Sequence, residues 1–284
     1  VKIFLGVFMS NEVVKYHSKM NEIAFRKFSS IELNMFFSIC YKMKEKRTNL
    51  VKLSFEDLKK LIKYKYTGLD RFISDLESMY DKIINVSFRI GDSRNFTKFI
   101  VFTTYKINSD EHYIEISLNK EFENILNDLT SNFTRFELEE FTKLRSSYSK
   151  QMFKLLAQYN STGIYIISIE EFKRLLDIPV SYRPHHIDQR VLKPILEELQ
   201  FYFKNLKVEK IKKKRSIEKF KFIFAKRKDK TGNSDNGKIV IADMREFEEI
   251  QREQSESQKR KDEFESLNRS EKVQLIKEQL LKKK

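Results

Sequence analysis

Arg183, His185, His186, Gln189, Arg190 and Lys193 put six hydrogen-bonding side chains into one short stretch. An arginine can fork onto the two acceptors of guanine, a glutamine can pair with adenine, and a histidine can donate to base acceptors. Among them run Ile187, Val191, Leu192, Ile195, Leu196 and Leu199 at helical spacing, so one face of the segment packs while the other reads. The helix is predicted over 184–203, and Pro194 is expected to kink it between a reading half and a packing half. Downstream, Lys212, Lys213, Lys214 and Arg215 sit between two strand-like runs, where cations can neutralise phosphates without reading sequence. Residues 205–230 carry 12 Lys/Arg against 3 Asp/Glu, the densest positive run in the chain.

Nearer the start, the same logic selects Lys63, Lys65, Tyr66, Thr67, Arg71 and Ser74. Asp70, Asp75, Glu77 and Asp81 crowd that helix, so its domain is expected to serve dimerisation more than base reading. Other chemistry finds little footing. One cysteine and 4 His at scattered positions give no zinc spacing, and no phosphate-binding glycine loop is present. His185 and His186 are adjacent rather than flanking an apolar residue, with no third ligand nearby and no obvious catalytic tyrosine. The chain is therefore expected to be no enzyme and to need neither cofactor nor metal.

The elements that position these residues recur. A helix over 30–46 leads to a strand over 50–53, a short helix over 55–62 capped by Ser54, and a second helix over 67–82. Strands over 84–90 and 96–107 follow, joined by a turn at Gly91-Asp92-Ser93-Arg94. The second copy runs from a helix over 147–159 through a strand over 164–167 and a short helix over 169–176 capped by Ser168. The helix over 184–203 and strands over 206–212 and 217–225 complete it. Ser54-Phe55-Glu56-Asp57-Leu58-Lys59-Lys60-Leu61-Ile62 mirrors Ser168-Ile169-Glu170-Glu171-Phe172-Lys173-Arg174-Leu175-Leu176. Met35-Phe36 falls opposite Met152-Phe153, and Asp70-Arg71-Phe72-Ile73 opposite Gln189-Arg190-Val191-Leu192. Between the copies, a strand over 112–118 and a helix over 120–129 are read as extending the first domain, with 132–144 joining it to the second.

Helix, strand, helix, turn, helix and hairpin is the order of a winged helix, whose second turn-flanked helix enters a major groove while the hairpin reaches backbone or minor groove. The fold class expected is α+β, two tandem winged-helix domains related by internal duplication, with a charged helical C-terminal tail. The expected boundaries are 1–132 for the first domain (dimerisation and DNA contact), 133–230 for the second (main sequence-specific contact) and 231–284 for linker and tail.

Composition agrees. A length of 284 residues with 25 Phe and 12 Tyr suffices for two aromatic-rich cores. The formal charge of +15 points to a polyanionic partner, here double-stranded DNA. Residues 243–284 balance 11 Lys/Arg with 11 Asp/Glu, which leaves that charge in the body. The tail is read as a solvated helix breaking near Ser266, with a last helix capped by Ser270. The lone Cys40 lies in an apolar pattern and is expected to be a buried thiol in a reducing cytoplasm. No run reaches the roughly 18 apolar residues of a membrane span. Residues 1–9 are read as a short strand or arm, with Val1 at a non-ATG start.

Leu144-Arg145-Ser146-Ser147-Tyr148-Ser149-Lys150-Gln151-Met152-Phe153-Lys154-Leu155-Leu156 resembles the opening helix of the second winged helix in theta-type plasmid replication initiators. The segment 168–176 and Arg190-Val191-Leu192-Lys193-Pro194-Ile195 continue that pattern. The resemblance is good over 144–224, looser over 10–132 and absent beyond 230. It implies binding of repeated origin sequences (iterons) as a monomer, with one winged helix per major groove. It also implies help in melting the origin and recruitment of host replication proteins, an initiator and a helicase among them. Dimers joined through the first domain, in equilibrium with the monomer, would repress their own gene on an inverted repeat. Gln151 stands where the family has a basic residue, which removes one phosphate contact from the implied set. The chain would then be bacterial, cytoplasmic, plasmid- or nucleoid-associated and involved in plasmid copy control. Two other readings use the same residues: a dedicated dimeric transcriptional repressor and, behind it, a rolling-circle nickase.

Overall fold

The computed structural model describes residues 12–46, 50–91, 94–127, 133–214 and 216–225. The expected N-terminal arm, the linker and the charged tail lie outside the described residues, as does Arg215. Strand β1 (Val13–His17) leads through a 3-10 turn into helix α1 (Ser30–Lys46). Ser29 and Glu32 start α1 reciprocally: the Glu32 amide donates to Ser29 Oγ at 3.2 Å, and the Ser29 amide to Glu32 Oε2 at 2.7 Å. Strand β2 (Leu50–Ser54) hands over to α2 (Phe55–Leu61), where the Asp57 amide donates to Ser54 Oγ at 3.0 Å, the cap expected. Helix α3 (Leu69–Ile83) buries Phe72, Leu76, Met79 and Ile83. Ser78 and Lys82 on α3 both reach Glu32. Burial pushes the Glu32 carboxyl up, but the bonds from Lys82, the Ser29 amide and Ser78 outweigh it and hold it below its ordinary range.

The first wing differs from its expected position. Strands β3 (Phe88–Gly91) and β4 (Phe96–Phe99) form a separate two-stranded hairpin. The run expected as one strand over 96–107 breaks before Phe102, where buried Val101 turns its carbonyl to the Asn119 amide at 2.8 Å. The three-stranded sheet is completed by β5 (Phe102–Asn108) and β6 (Tyr113–Leu118) in the order β2-β6-β5. The strand read as an extension is thus the centre of the sheet, and the wing is β5–β6. Helix α4 (Lys120–Asn127) follows. The joining segment becomes strand β7 (Phe133–Glu137), antiparallel to β1, and helix α5 (Leu138–Lys143).

The second copy repeats the plan. Helix α6 (Ser147–Gln158), strand β8 (Ile164–Ser168) and helix α7 (Ile169–Leu175) precede the long helical segment, and Ser168 Oγ caps α7 by accepting from the Glu171 amide at 3.1 Å. That segment runs as α8 (Pro184–Ile187), a π turn (Asp188–Leu192) and α9 (Lys193–Leu199). The π turn answers Pro194, which has no N–H to donate and whose ring would strike the carbonyl four residues back; widening the preceding turn makes room. The helical path continues past Pro194 by way of this π turn and ends at 199 rather than 203. Strands β9 (Lys207–Lys213) and β10 (Ser216–Ile223) form the second wing, with sheet order β8-β10-β9. In both sheets the returning strand of the wing is central.

Aromatic rings join the copies. Phe37 of α1 meets Phe141 at 5.0 Å, Phe141 meets Phe153 of α6 at 6.3 Å, and Phe153 meets Phe203 at 5.5 Å. Two lysines of α6 are buried at this junction. Lys150 donates to the Phe141 carbonyl at 2.5 Å, while Lys154 lies 4.3 Å from the Phe25 ring centroid and 5.2 Å from that of Phe37. Burial pushes both amines down to about 7. Cys40 is buried as expected, and burial pushes its thiol up.

Candidate nucleic-acid interface

The helix α8–α9 divides its faces as its sequence requires. Ile187, Val191, Leu192, Ile195 and Leu199 are buried, with Leu196 half-buried. Arg183, His185, Gln189, Arg190 and Lys193 are exposed, and His186 is half-buried. The Arg183 amide donates to His186 Nδ1 at 3.2 Å, so His186 caps the helix start rather than extending outward. Loss of solvent, followed by the charges of His185, Arg190 and Arg183, holds the His186 imidazole below its ordinary range. That shift favours the neutral imidazole, the form in which Nδ1 can accept. Lys193 has Glu197 one turn on at 3.9 Å. The exposed row thus offers an arginine fork, a glutamine amide and a histidine edge, which complement the donors and acceptors that base edges present in the major groove.

The wing is tied to this helix. Lys210 on β9 pairs with Asp188 of the π turn at 2.6 Å, linking the hairpin to the reading helix and offsetting a negative charge on that helix. Beyond Lys210, Lys212, Lys213 and Lys214 are all exposed. Lys213 pairs across the ladder with Ser216, so Lys214 sits in the hairpin turn with φ 56. Glu218 approaches Lys213 at 3.6 Å and Glu209 approaches Lys221 at 3.5 Å. Lys221 is buried in that pair, whereas Lys213 is exposed, and an exposed pair holds its lysine weakly and leaves it available to a phosphate.

The first copy presents a mixed surface. Lys65, Tyr66, Thr67, Arg71 and Ser74 are exposed around the start and outer face of α3. Lys63 instead turns to α5, 3.1 Å from Glu139. Hydrogen bonds from Lys143 and Lys63 hold the Glu139 carboxyl down at about 2. The guanidinium of Arg71 lies 3.8 Å from the Tyr66 ring centroid. The β5–β6 turn carries Asp110 and Glu111 where the second wing carries lysines, and Glu111 draws Lys52 to 3.7 Å. An acidic tip is repelled by phosphate, so the two wings are not equivalent.

Two contributors lie beyond sequence reasoning. In the sequence Lys210 is one cation of a positive run, and its role as the strut to Asp188 needs the sheet register. Tyr182 precedes the helix without belonging to its periodic pattern, yet it stands 116 residues after Tyr66, and Arg190 lies 5.5 Å from its ring centroid. Among the described residues, no group of three His, Cys, Asp or Glu is placed to hold a metal, and no helix is long and apolar enough to cross a membrane.

Comparison with known proteins extends these findings. A family model described as Initiator Replication protein, WH1, matches residues 13–157, and one described as Initiator Rep protein, WH2, matches residues 168–224. A probable replication protein of Bifidobacterium longum (strain NCC 2705) is 35% identical over 221 residues, spanning 77% of this chain and 74% of that protein. The solved structure of the Pi initiator protein in complex with iteron DNA aligns with a TM-score of 0.61 at 16% identity, covering 77% of this chain and 99% of that one. That likeness is one of fold. Domains 2 and 3 of RctB align over 70% of this chain and 83% of that one, with a TM-score of 0.43 and 14% identity.

Proposed function

This chain belongs to the Initiator Replication protein family, and we propose that it is a plasmid replication initiator whose two winged helices bind the repeats of an origin. The observation that carries the reading is the second copy's surface: a row of exposed base-reading side chains on one helix, braced by Lys210 to a lysine-tipped wing. On this reading the bound chain helps to open the origin, recruits the host initiator and helicase, and acts in the cytoplasm on plasmid DNA.

Within it, Arg190 reads a base and the wing lysines hold phosphates. Arg190→Ala should cost about 1–3 kcal/mol on the preferred duplex and far less on random duplex. Fluorescence anisotropy against both duplexes measures the difference, and equal losses would remove Arg190 from base reading.

Oligomeric state separates an initiator from a dedicated repressor. With β6 central in its sheet, the strand 113–118 has no edge to offer a second chain, and β5 supplies the outer edge of the wing. We assign the dimer contact to the first domain, in equilibrium with the monomer, and autorepression to the dimer on an inverted repeat. A duplex selected from a randomised pool by the wild-type chain should span roughly two helical turns and recur as direct repeats beside the gene. Light scattering of the complex on one such site should give one chain per duplex. Two chains on every single site would favour the repressor.

A further inference from the structure

We propose that Tyr66 and Tyr182 are positioning residues that hold the two recognition-helix arginines, Arg71 and Arg190, ready for base reading. The proposal rests on the reading that these arginines face DNA. Each tyrosine precedes its helix, and the guanidinium lies over its ring, 3.8 Å from the centroid in the first copy and 5.5 Å in the second. Arg71 and Arg190 fall opposite each other in the internal repeat, and each copy places a tyrosine shortly before its helix. The separations along the chain differ, however: Arg71 follows its tyrosine by one turn of sequence, whereas Arg190 follows across the longer lead of Arg183, Pro184 and the paired histidines. Two different backbone paths bring ring and guanidinium together, which a fixed helical spacing cannot explain.

Both rings are themselves held. Tyr66 meets Tyr64 edge-on at 5.5 Å, and Tyr64 packs on Phe72 at 5.0 Å. Tyr182 meets His186 at 5.6 Å, the residue that caps α8. A carboxylate on each recognition helix is also engaged. The Tyr64 hydroxyl donates to Asp75 at 2.5 Å, and Lys210 binds Asp188. This matters because an ion pair would use the guanidinium N–H groups, whereas a ring uses only its face. An arginine held over a ring has already given up rotamer freedom before DNA arrives, and the ring itself occupies none of its donors. In the first copy Arg71 also bonds the Tyr64 hydroxyl, which leaves the rest of its rim for a guanine.

The test uses the full chain and a duplex selected from a randomised pool by the wild type, with variants of that duplex at each base pair. Arg190→Ala should abolish discrimination at one or two pairs. Tyr182→Leu should lower discrimination at those same pairs by roughly two- to fivefold, leave random-duplex binding unchanged, and add nothing in the Arg190→Ala background. Tyr182→Phe should retain it, and Tyr66→Leu and Arg71→Ala should behave likewise at the pairs read by the first copy. Full discrimination in Tyr182→Leu, with Arg190→Ala still defective, overturns the positioning role and leaves base reading intact. Equal losses on selected and random duplex mark the ring as structural and also overturn it. Undiminished discrimination in Arg190→Ala removes base reading by that arginine, and the positioning role with it.

Discussion

Lys154→Met should raise the melting temperature at pH 7 by about 5–10 °C and flatten its rise between pH 7 and 10. Lys154 is 2% exposed, and its neighbours are the rings of Phe25 and Phe37. Burial pushes its amine from 10.5 down to about 7. A folded-state value below the unfolded one means that the unfolded chain binds more protons between those two pH values. Stability therefore increases as pH rises from about 7 towards 10.5, and the full cost of burying the charge is felt below 7. Methionine fills the same volume without the charge and should stabilise by on the order of 3 kcal/mol at neutral pH. Lys150 should yield less, because the Phe141 carbonyl accepts from its amine and Glu198 favours its charge. Thermal melts of both variants across this range check the expectation. A wild-type curve that is flat or falls over pH 7–10 would contradict it.

Replacing Lys212, Lys213, Lys214 and Arg215 together with serine should weaken binding to every duplex alike. The slope of log affinity against log salt should fall by roughly 0.9 for each phosphate that the wing no longer neutralises, up to about 3.6 for all four. Lys212, Lys213 and Lys214 are exposed at the end of β9 and in its turn, and Lys213 has the surface partner Glu218. Such cations contribute through counterion release, so the preference among sequences should survive while affinity falls. The equivalent turn of the first copy supplies an internal control. Asp110→Ser with Glu111→Ser removes negative charge from the β5–β6 tip and should leave binding unchanged or tighten it. An unaltered salt slope in the lysine variant would mean that the β9–β10 hairpin points away from DNA.

Much of this is legible in the residues. The caps Ser54 and Ser168 announce α2 and α7 because a serine oxygen must meet an orphan amide there, and the structure makes both bonds. The buried stripe of α8–α9 follows from helical periodicity and returns almost residue for residue. The first wing escapes sequence reading because its turn has no glycine or proline. Asn108 makes it instead, its side-chain oxygen accepting from the Asp110 and Glu111 amides at 3.1 and 2.9 Å, with His112 at φ 54. Gly91 points instead to β3–β4, an insertion without a counterpart in the second copy. The β1–β7 ribbon is illegible for another reason. Its strands are more than a hundred residues apart in the chain, and no local pattern reports a pairing of that range. In the site, residue types give the reading face, but the Lys210–Asp188 strut and the tyrosines beneath the arginines are tertiary contacts.

The central claim is that one chain lays its two winged helices on successive major grooves of one duplex. A hydroxyl-radical footprint of the full chain on a single selected site, at a stoichiometry of one chain per duplex, tests it most directly. Two protected patches about one helical turn apart, roughly 10 base pairs, are expected, with the serine variant of the second wing losing protection at the flank of only one. A single protected patch, or protection symmetric about a two-fold axis formed by two chains, would contradict the account.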